Sequence, residues 1–275
     1  VINGKAAPAI ESLTVKEGDT VRLRFVNAGL FTHVISIPGH SFKVTHYDGQ
    51  EVNEPELLSD VALRIAPAER YDIEMTMDNP GAWGIQVFAE ENKERLNTLI
   101  PVVYEGYDST DLQTTDSIET YFDQTAYGQP KDIQYGEITK EYDMVLGTND
   151  GGETFTINNK QMPDHEIYEV EKGDVVKVTI SNETDVDHPM HLHGQFFSVL
   201  SRNGEPVKGS PVIRDTLNVR PNETYEIVFV ADNPGHWLFH CHELHHAAGG
   251  MVSEVKYKGY EPKFTLDPNI DNQPE

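Results

Sequence analysis

The sequence predicts an all-β protein made of two related domains in tandem. Three observations carry this prediction: an internal repeat, short segments in which apolar and polar residues alternate, and turn-forming residues between those segments. Alternation with a period of two is typical of a strand that buries one face. Short strands at this spacing, with no long amphipathic helix among them, favour a β-sandwich or barrel in each domain.

The repeat relates the two halves of the chain at a nearly constant offset. Ile2 matches Ile157, an offset of 155 (157 − 2), and Trp83 matches Trp237, an offset of 154 (237 − 83). A single-residue deletion explains the change. The other matched segments are 17–21 with 172–176, 48–52 with 203–207, and 78–81 with 232–235. So many matches in the same order indicate two copies of one structural unit.

The strand patterns recur at matched places in the two units. Apolar and polar residues alternate over 21–26, 71–75, 176–180 and 225–229. Turn signals such as Asn79-Pro80-Gly81 separate these segments. The second unit also has a predicted strand at 141–147, before its Ile-Asn-x-Lys segment, whereas the first unit begins at that segment. We therefore expect that the chain is cut from a longer protein.

These patterns predict four consecutive segments. They are a first domain over 1–105, a linker over 106–136 that is rich in Asp, Thr, Gln and Gly, a second domain over 137–258, and an extended, proline-containing tail over 259–275.

The charge and the cysteine content exclude several classes of function. With 21 Lys+Arg against 46 Asp+Glu the formal net charge is −25, so phosphate backbones and anionic lipid would repel the chain. The single cysteine cannot form an intrachain disulfide. Charged residues interrupt every apolar stretch before it reaches the ~20 residues of a membrane-spanning helix. We expect no nucleic-acid partner and no membrane span.

Eight of the twelve histidines lie in two short windows of the second domain. The first window is His188-Pro189-Met190-His191-Leu192-His193-Gly194, and the second runs from His236 through His240-Cys241-His242 to His245, His246 and Met251. Because neighbouring side chains of a strand point to opposite faces, Cys241 points away from His240 and His242. That arrangement can put a thiolate in one metal site and two imidazoles in a second site behind it.

The donors near Cys241 favour copper over other metals. His246 and Met251 follow at successive five-residue intervals, so a short turn or loop returns both to the sulfur, and His188 is the best candidate for a second imidazole. Two histidines, one thiolate and a weak axial methionine form the blue-copper donor set. Structural zinc normally uses more thiolates, which makes zinc the second choice.

Together the motifs His-Pro-x-His-x-His-Gly and His-Cys-His-x-x-x-His-x-x-x-x-Met resemble the C-terminal copper motifs of the laccase-like multicopper oxidases. The resemblance covers most of the chain, and implies that the two units are the second and third cupredoxin domains, Greek-key β-sandwiches, of a three-domain member. It also implies the copper ligands: His188, Cys241, His246 and Met251 for type 1, His191 for type 2, and His193, His240 and His242 for the type 3 pair.

The first unit keeps only one histidine of this set. His33 aligns with His188 (188 − 155), but Val87 stands at the position of Cys241 (241 − 154). The first domain is thus expected to be a scaffold. We predict that none of its histidines is a copper ligand: His33, His40 and His46.

The second domain supplies four of the eight histidines that the family's trinuclear cluster uses. The others are expected on two His-x-His motifs of a further cupredoxin domain, and the remaining histidines of this sequence form no such motif. We expect an N-terminal domain of the same protein to complete the cluster; the less favoured alternative is a neighbouring chain.

The resemblance implies an oxidase that couples one-electron oxidation of a phenol, an aromatic amine or a metal ion to the four-electron reduction of O2 to water. Electrons would enter at His246 and pass through Cys241 to His240 and His242. Without the missing domain, this chain is expected to be inactive. The family also implies a location outside the cytoplasm.

Two other classes of protein remain as alternatives. One is a non-catalytic blue-copper protein that transfers electrons or sequesters copper. The other is a two-domain copper nitrite reductase, which fits less well because that enzyme has a single type 2 copper beside its cysteine. Oxygen consumption separates the oxidase from the non-catalytic protein.

Overall fold

The structure, a computed structural model, describes residues 1–90, 92–115, 117–149, 151–152 and 154–263. By its internal contacts the chain divides into two compact units, Val1–Gly128 and Gln129–Glu275. Strands dominate both units, which confirms the predicted all-β class. The predicted tail lies outside the described residues from position 264 onward.

The first unit is a pair of sheets. Its described strands are β1 Leu13–Val15, β2 Thr20–Val26, β3 His33–Ser36, β4 Phe42–Tyr47, β5 Gln50–Glu51, β6 Val61–Ile65, β7 Arg70–Thr76, β8 Ala82–Ala89, β9 Asn92–Tyr104 and β10 Thr120–Tyr121. One sheet has the order β1-β9-β8-β3-β6-β10 and the other β2-β7-β4-β5. In β7, Tyr71, Ile73 and Met75 are buried while Asp72 and Glu74 are not, so the sequence alternation matches one core-facing side.

The second unit repeats this plan with sheets of seven and five described strands. Its described strands are β11 Lys140–Asn149, β12 Thr154–Ile157, β13 Glu166–Val170, β14 Val175–Asn182, β15 His188–Leu192, β16 Phe197–Arg202, β17 Glu205–Pro206, β18 Val212–Arg214, β19 Thr216–Val219, β20 Thr224–Val230, β21 His236–Cys241 and β22 Val252–Tyr257. One sheet has the order β12-β11-β14-β20-β16-β17 with β18 on β16, and the other β13-β22-β21-β15-β19. A short helix, α1 Leu244–Ala248, follows β21.

The strand registers show the same duplication as the sequence. Ile35 pairs with Val87 between β3 and β8, and Met190 pairs with Cys241 between β15 and β21. These pairs are related by the two sequence offsets, 155 (190 − 35) and 154 (241 − 87). Val87 therefore occupies the place in the first unit that Cys241 occupies in the second.

Part of the predicted linker, 106–136, packs as structure of the first unit. Gln113 forms a bridge with Trp83, and β10 pairs in parallel with β6. The buried Tyr127 accepts a hydrogen bond from the N–H of Val44 at 3.0 Å. This stretch is polar and shows no strand alternation. It can still add β10 at the edge of the sheet, because backbone hydrogen bonds hold an edge strand and polar side chains do not prevent them. No helix in the described part of the chain has the length and apolar character needed to cross a bilayer.

Candidate metal centre

Three segments of the second unit carry the predicted ligands: β15 with the turn after it, which holds His193, then β21, and the loop with α1 that follows β21. In the antiparallel pair of β15 and β21, His191 lies opposite His240 and Met190 lies opposite Cys241. Residues opposite one another share a face of the sheet. His191 and His240 therefore lie on one face, and Cys241 lies on the other.

The first cluster is a triangle of donor atoms around the thiol. Nδ1 of His188 and Nδ1 of His246 are 3.1 Å apart, and they lie 3.7 and 3.6 Å from Sγ of Cys241. All three side chains are buried. A triangle of this size matches donors that lie about 2.0–2.3 Å from one small transition-metal ion. Its two imidazoles and one thiolate fit copper.

Met251 ends the loop that follows α1, and its backbone is hydrogen-bonded to two residues of this triangle. Its side chain is fully buried, and its N–H donates to the carbonyl of His246 at 3.0 Å. Its own carbonyl accepts the N–H of Cys241 at 3.1 Å. These two backbone hydrogen bonds hold the methionine beside both predicted ligands, as the five-residue spacing suggested.

Each of the two imidazoles in the triangle has a partner on its outward nitrogen. Nε2 of His188 is 2.8 Å from Oγ1 of Thr184, and Nε2 of His246 is 3.2 Å from Oε2 of Glu243. Glu243 also caps α1, where it accepts the N–H of His246 at 2.8 Å. Partners of this kind fix the tautomer and orientation of a metal-ligating histidine.

An aromatic ring packs against the ring of His246. The ring of Phe155, on β12, lies 4.0 Å from the ring of His246 and 5.9 Å from that of His188, centroid to centroid. The N–H of Phe155 donates to the carbonyl of Gly249 at 3.1 Å, which ties β12 to the end of α1. Phe155 thus shields the triangle from water and lowers the local dielectric.

Burial sets the protonation of these groups. It lowers the pKa of His188 to about 3 and that of His246 to about 4, with a neighbouring imidazole adding to each shift. Burial also raises the pKa of the Cys241 thiol far above its usual range. The imidazoles are therefore in their metal-binding form, whereas the thiol has to release its proton to bind a metal.

The second cluster lies on the opposite face of the sheet and consists of imidazoles. Ring centroids of its members are 4.7 to 5.9 Å apart in five pairs, and Nε2 of His193 is 2.9 Å from Nε2 of His240. Burial lowers the pKa of His240 to about 4 and also lowers that of His193, and the nearby imidazoles add to both shifts. The cluster contains the four histidines predicted for the trinuclear site: His191, His193, His240 and His242.

Backbone carbonyls orient two of these rings. Nδ1 of His240 lies 2.8 Å from the carbonyl oxygen of Cys241, and Nδ1 of His191 lies 3.0 Å from that of Asp215. A carbonyl only accepts, so Nδ1 of each ring carries the proton. The Nε2 atoms are then left with a lone pair, which suits them to bind a metal.

The histidines of the first unit have other surroundings. Nε2 of His40 lies 2.7 Å from the hydroxyl of Tyr104, Nδ1 of His46 lies 3.1 Å from the guanidinium of Arg22, and His33 is half-buried on β3. Among the described residues, two groups of His, Cys, Asp or Glu bring three donor atoms within 4.8 Å of one another, and both groups lie in the second unit. One is His188, Cys241 and His246, and the other is Glu243, His245 and His246.

Sequence reasoning missed two residues that contact the imidazoles of the first cluster, Phe155 and Thr184, and it did not predict the contact of Glu243 with His246. Phe155 and Thr184 lie 91 (246 − 155) and 4 (188 − 184) residues from the histidines that they touch. No spacing rule marks Phe155, because its contact is made only by the packing of β12. Glu243 had one signal, since an acid before a short helical segment is a capping pattern.

Comparison with known families finds two matches along the chain. A family model described as multicopper oxidase matches residues 1–107, and a second model of the same description matches residues 128–259. The two matched ranges do not overlap, and together they span most of the sequence.

Several curated relatives share this pattern. The chain is 29% identical to multicopper oxidase MmcO of Mycobacterium tuberculosis over 94% of this chain and 50% of that protein. It is 28% identical to iron transport multicopper oxidase fio1 of Schizosaccharomyces pombe over 88% of this chain and 47% of that protein. It is 27% identical to laccase-2 of Fomitopsis schrenkii over 87% of this chain and 54% of that protein. The chain spans about half the length of the curated relatives that it matches.

Solved structures share the fold. The crystal structure of Fet3p, a multicopper oxidase that functions in iron import, superposes with a TM-score of 0.78 at 24% identity, over 90% of this chain and 57% of that one. A laccase from Botrytis aclada superposes with a TM-score of 0.70 at 22% identity, over 90% and 53%. These likenesses confirm the cupredoxin-like β-sandwich architecture that the motifs implied.

Proposed function

The chain belongs to the multicopper oxidase family, and on that premise we propose that it forms the scaffold domain and the copper-binding domain of an oxidase. The whole protein would oxidise a phenol, an aromatic amine or a metal ion and pass the electrons to O2. One observation carries the proposal: the two clusters lie on opposite faces of the paired strands β15 and β21. Cys241 belongs to the first cluster, and its backbone neighbours His240 and His242 belong to the second.

The first cluster is the proposed type 1 site. His188, Cys241 and His246 offer three converging donors, and the backbone of the buried Met251 is hydrogen-bonded to Cys241 and His246. Copper held there and at the second cluster would supply one-electron redox chemistry and oxygen reduction, respectively. The buried protein atoms keep the donor atoms in place and exclude water, so little reorganisation is needed when the charge of the site changes.

His246 is the proposed point of electron entry. It is 8% exposed, whereas His188, Cys241 and Met251 are fully buried. From Sγ of Cys241 a covalent path runs through the backbone to His240 and His242. The hydrogen bond from Nδ1 of His240 to the Cys241 carbonyl, at 2.8 Å, adds a second and shorter connection between the clusters.

The second cluster is proposed as half of the type 2 and type 3 site. The rings of its four histidines lie 4.7 to 5.9 Å apart in five pairs, with His191 proposed for type 2 and the other three for type 3. We propose that a further cupredoxin domain of the whole protein supplies the remaining histidines. A neighbouring chain is the alternative source. We also propose that the protein works outside the cytoplasm, as the family resemblance implies.

A non-catalytic blue-copper protein is the second candidate function. The observation that favours it is a first cluster whose donors are complete beside a second cluster with half the histidines of a trinuclear site. Copper in such a protein would exchange single electrons without consuming oxygen.

Copper binding and oxygen uptake test both candidates. We expect the copper-loaded chain to show an intense blue absorption and a type 1 EPR signal, and to consume no O2 with hydroquinone or Fe(II). The full-length protein should consume O2 with at least one of these reductants. Absence of the blue signal would refute the type 1 site, and full oxygen turnover by the chain alone would refute the half-site. A full-length protein that binds copper without consuming O2 would favour the non-catalytic candidate.

Replacing Met251 with Leu should raise the reduction potential of the bound copper. The thioether donates electron density to copper and so stabilises its oxidised form, whereas Leu fills a similar volume without donating. A spectroelectrochemical titration of the blue band measures the change. Met144, also fully buried in the second unit on β11, provides the matched control, since Met144→Leu should leave the potential unchanged. An equal or lower potential in Met251→Leu would refute the axial assignment.

A further inference from the structure

The loop before β15 holds Asn182 rigidly by its amide. Nδ2 of Asn182 donates to the carbonyls of Val186 and Val219 at 2.8 and 2.9 Å, and the side chain is buried. Because both amide hydrogens are used, the orientation of the amide is fixed and its oxygen points back into the loop. Asn182-Glu183-Thr184 matches the glycosylation pattern, but an amide that is buried and bonded in this way is not available for a sugar.

The amide oxygen determines where the hydroxyl proton of Thr184 goes. Oδ1 of Asn182 accepts the N–H of Thr184 and lies 2.8 Å from its Oγ1, and the carbonyl of Val186 lies 3.2 Å from the same Oγ1. Both of these oxygens can only accept a hydrogen bond. The hydroxyl has a single proton, and when one of these two oxygens accepts it, a lone pair of Oγ1 is left toward Nε2 of His188, which is 2.8 Å away.

That lone pair selects one tautomer of His188. Nε2 has to carry the proton in order to donate to Oγ1, so Nδ1 keeps its lone pair. Nδ1 is the atom that faces Sγ of Cys241 at 3.7 Å and Nδ1 of His246 at 3.1 Å. The chain from Asn182 through Thr184 thus presents the metal-binding nitrogen before any metal arrives.

The first unit provides an internal comparison for this arrangement. Asn27, the counterpart of Asn182 (182 − 155), donates to the carbonyls of Phe31 and Ile65 at 2.8 and 2.9 Å. Its Oδ1 accepts the N–H of Gly29 at 2.9 Å. Gly29 is the counterpart of Thr184 and has no hydroxyl. The asparagine therefore stabilises the loop in both units, whereas the hydroxyl occurs only in the unit with the predicted copper ligands.

We propose that Thr184 is the positioning residue that fixes His188 in its Nε2–H tautomer and so directs Nδ1 to copper. The proposal rests on the proposed type 1 site. Outer-shell partners of this kind change metal affinity by about 10–100-fold when they are removed. Thr184→Val keeps the shape of the side chain and removes the acceptor, whereas Thr184→Ser keeps the acceptor.

Two measurements test the proposal. In the copper-free chain, 15N NMR of the histidine rings should show His188 as Nε2–H in the wild type and in Thr184→Ser, and a mixture of tautomers in Thr184→Val. Copper titration should give a dissociation constant at least about tenfold higher for Thr184→Val than for the wild type, with recovery in Thr184→Ser.

Thr156→Val is the matched control for loss of a buried hydroxyl. Thr156 is 1% exposed and its Oγ1 has no hydrogen-bond partner, so its replacement should leave copper affinity and the His188 tautomer unchanged. Retention of the Nε2–H tautomer and of wild-type affinity in Thr184→Val would overturn the proposal. If the wild type bound no copper, the proposed function would fail, and the NMR comparison in the copper-free chain would still decide the role of Thr184.

Discussion

Replacing Cys241 with Ser should abolish the intense blue absorption and the type 1 EPR signal of the copper-loaded chain. The thiolate is the donor that gives a blue site its colour, and a serine hydroxyl does not deprotonate in a buried site. Cys241 is the single cysteine of the chain and is fully buried. No other thiol can therefore replace it. Visible and EPR spectra of the variant, with added copper, measure the loss.

Two further variants make the Cys241 result specific. Cys241→Ala should lose the blue signal in the same way without adding a buried hydroxyl, which removes the objection that Ser perturbs the core. His165→Ala should keep the signal, because His165 lies outside both clusters and pairs with Glu254 at 3.6 Å. A blue band that persists in either Cys241 variant would contradict the type 1 assignment.

Replacing Gly194 with Ala should destabilise the second unit by about 3 kcal/mol, from about 1–2 kcal/mol of left-handed backbone strain and a similar cost of overpacking. Gly194 has a φ of +69°, and a Cβ there would lie 2.5 Å from two atoms of the Trp237 ring. The ring cannot move away freely, because its Nε1 donates to the carbonyl of Asn233 at 2.8 Å. Urea denaturation followed by the fluorescence of Trp237, in a Trp83→Phe background that removes the other tryptophan of the chain, measures the change.

Gly204→Ala separates the two causes of that destabilisation. Gly204 has a φ of +79° in the same unit, but no atom lies within 4 Å of the position of its Cβ. Its replacement should therefore cost only the backbone strain, about 1–2 kcal/mol. Equal losses of stability at Gly194 and Gly204 would show that the contact with Trp237 contributes nothing. Gly39 has the corresponding contact with Trp83 in the first unit, at 2.4 Å, and should respond like Gly194.

The sequence alone determined the fold class and the grouping of the ligands. The repeat offsets of 155 and 154 recur as the strand pairs Ile35–Val87 and Met190–Cys241. Period-two alternation is a local property of a strand, so the segment at 71–75 could be predicted without knowing its neighbours. The same local rule predicted that Cys241 and His240 point to opposite faces, because they are adjacent in one strand.

Only the tertiary structure decided which nitrogen of each imidazole faces a cluster and which atoms hold it there. Phe155 reaches His246 through the packing of β12 on the end of α1, and Asn182 is oriented by carbonyls on two separate segments. Some of these contacts join residues far apart in the chain, such as Phe155 with His246 and Asn182 with Val219, and others lie within one loop. All of them depend on the exact positions of side-chain atoms, which composition and spacing do not encode. The sequence could therefore name the donors, whereas the selection of Nδ1 in His188 required the position of the Thr184 hydroxyl.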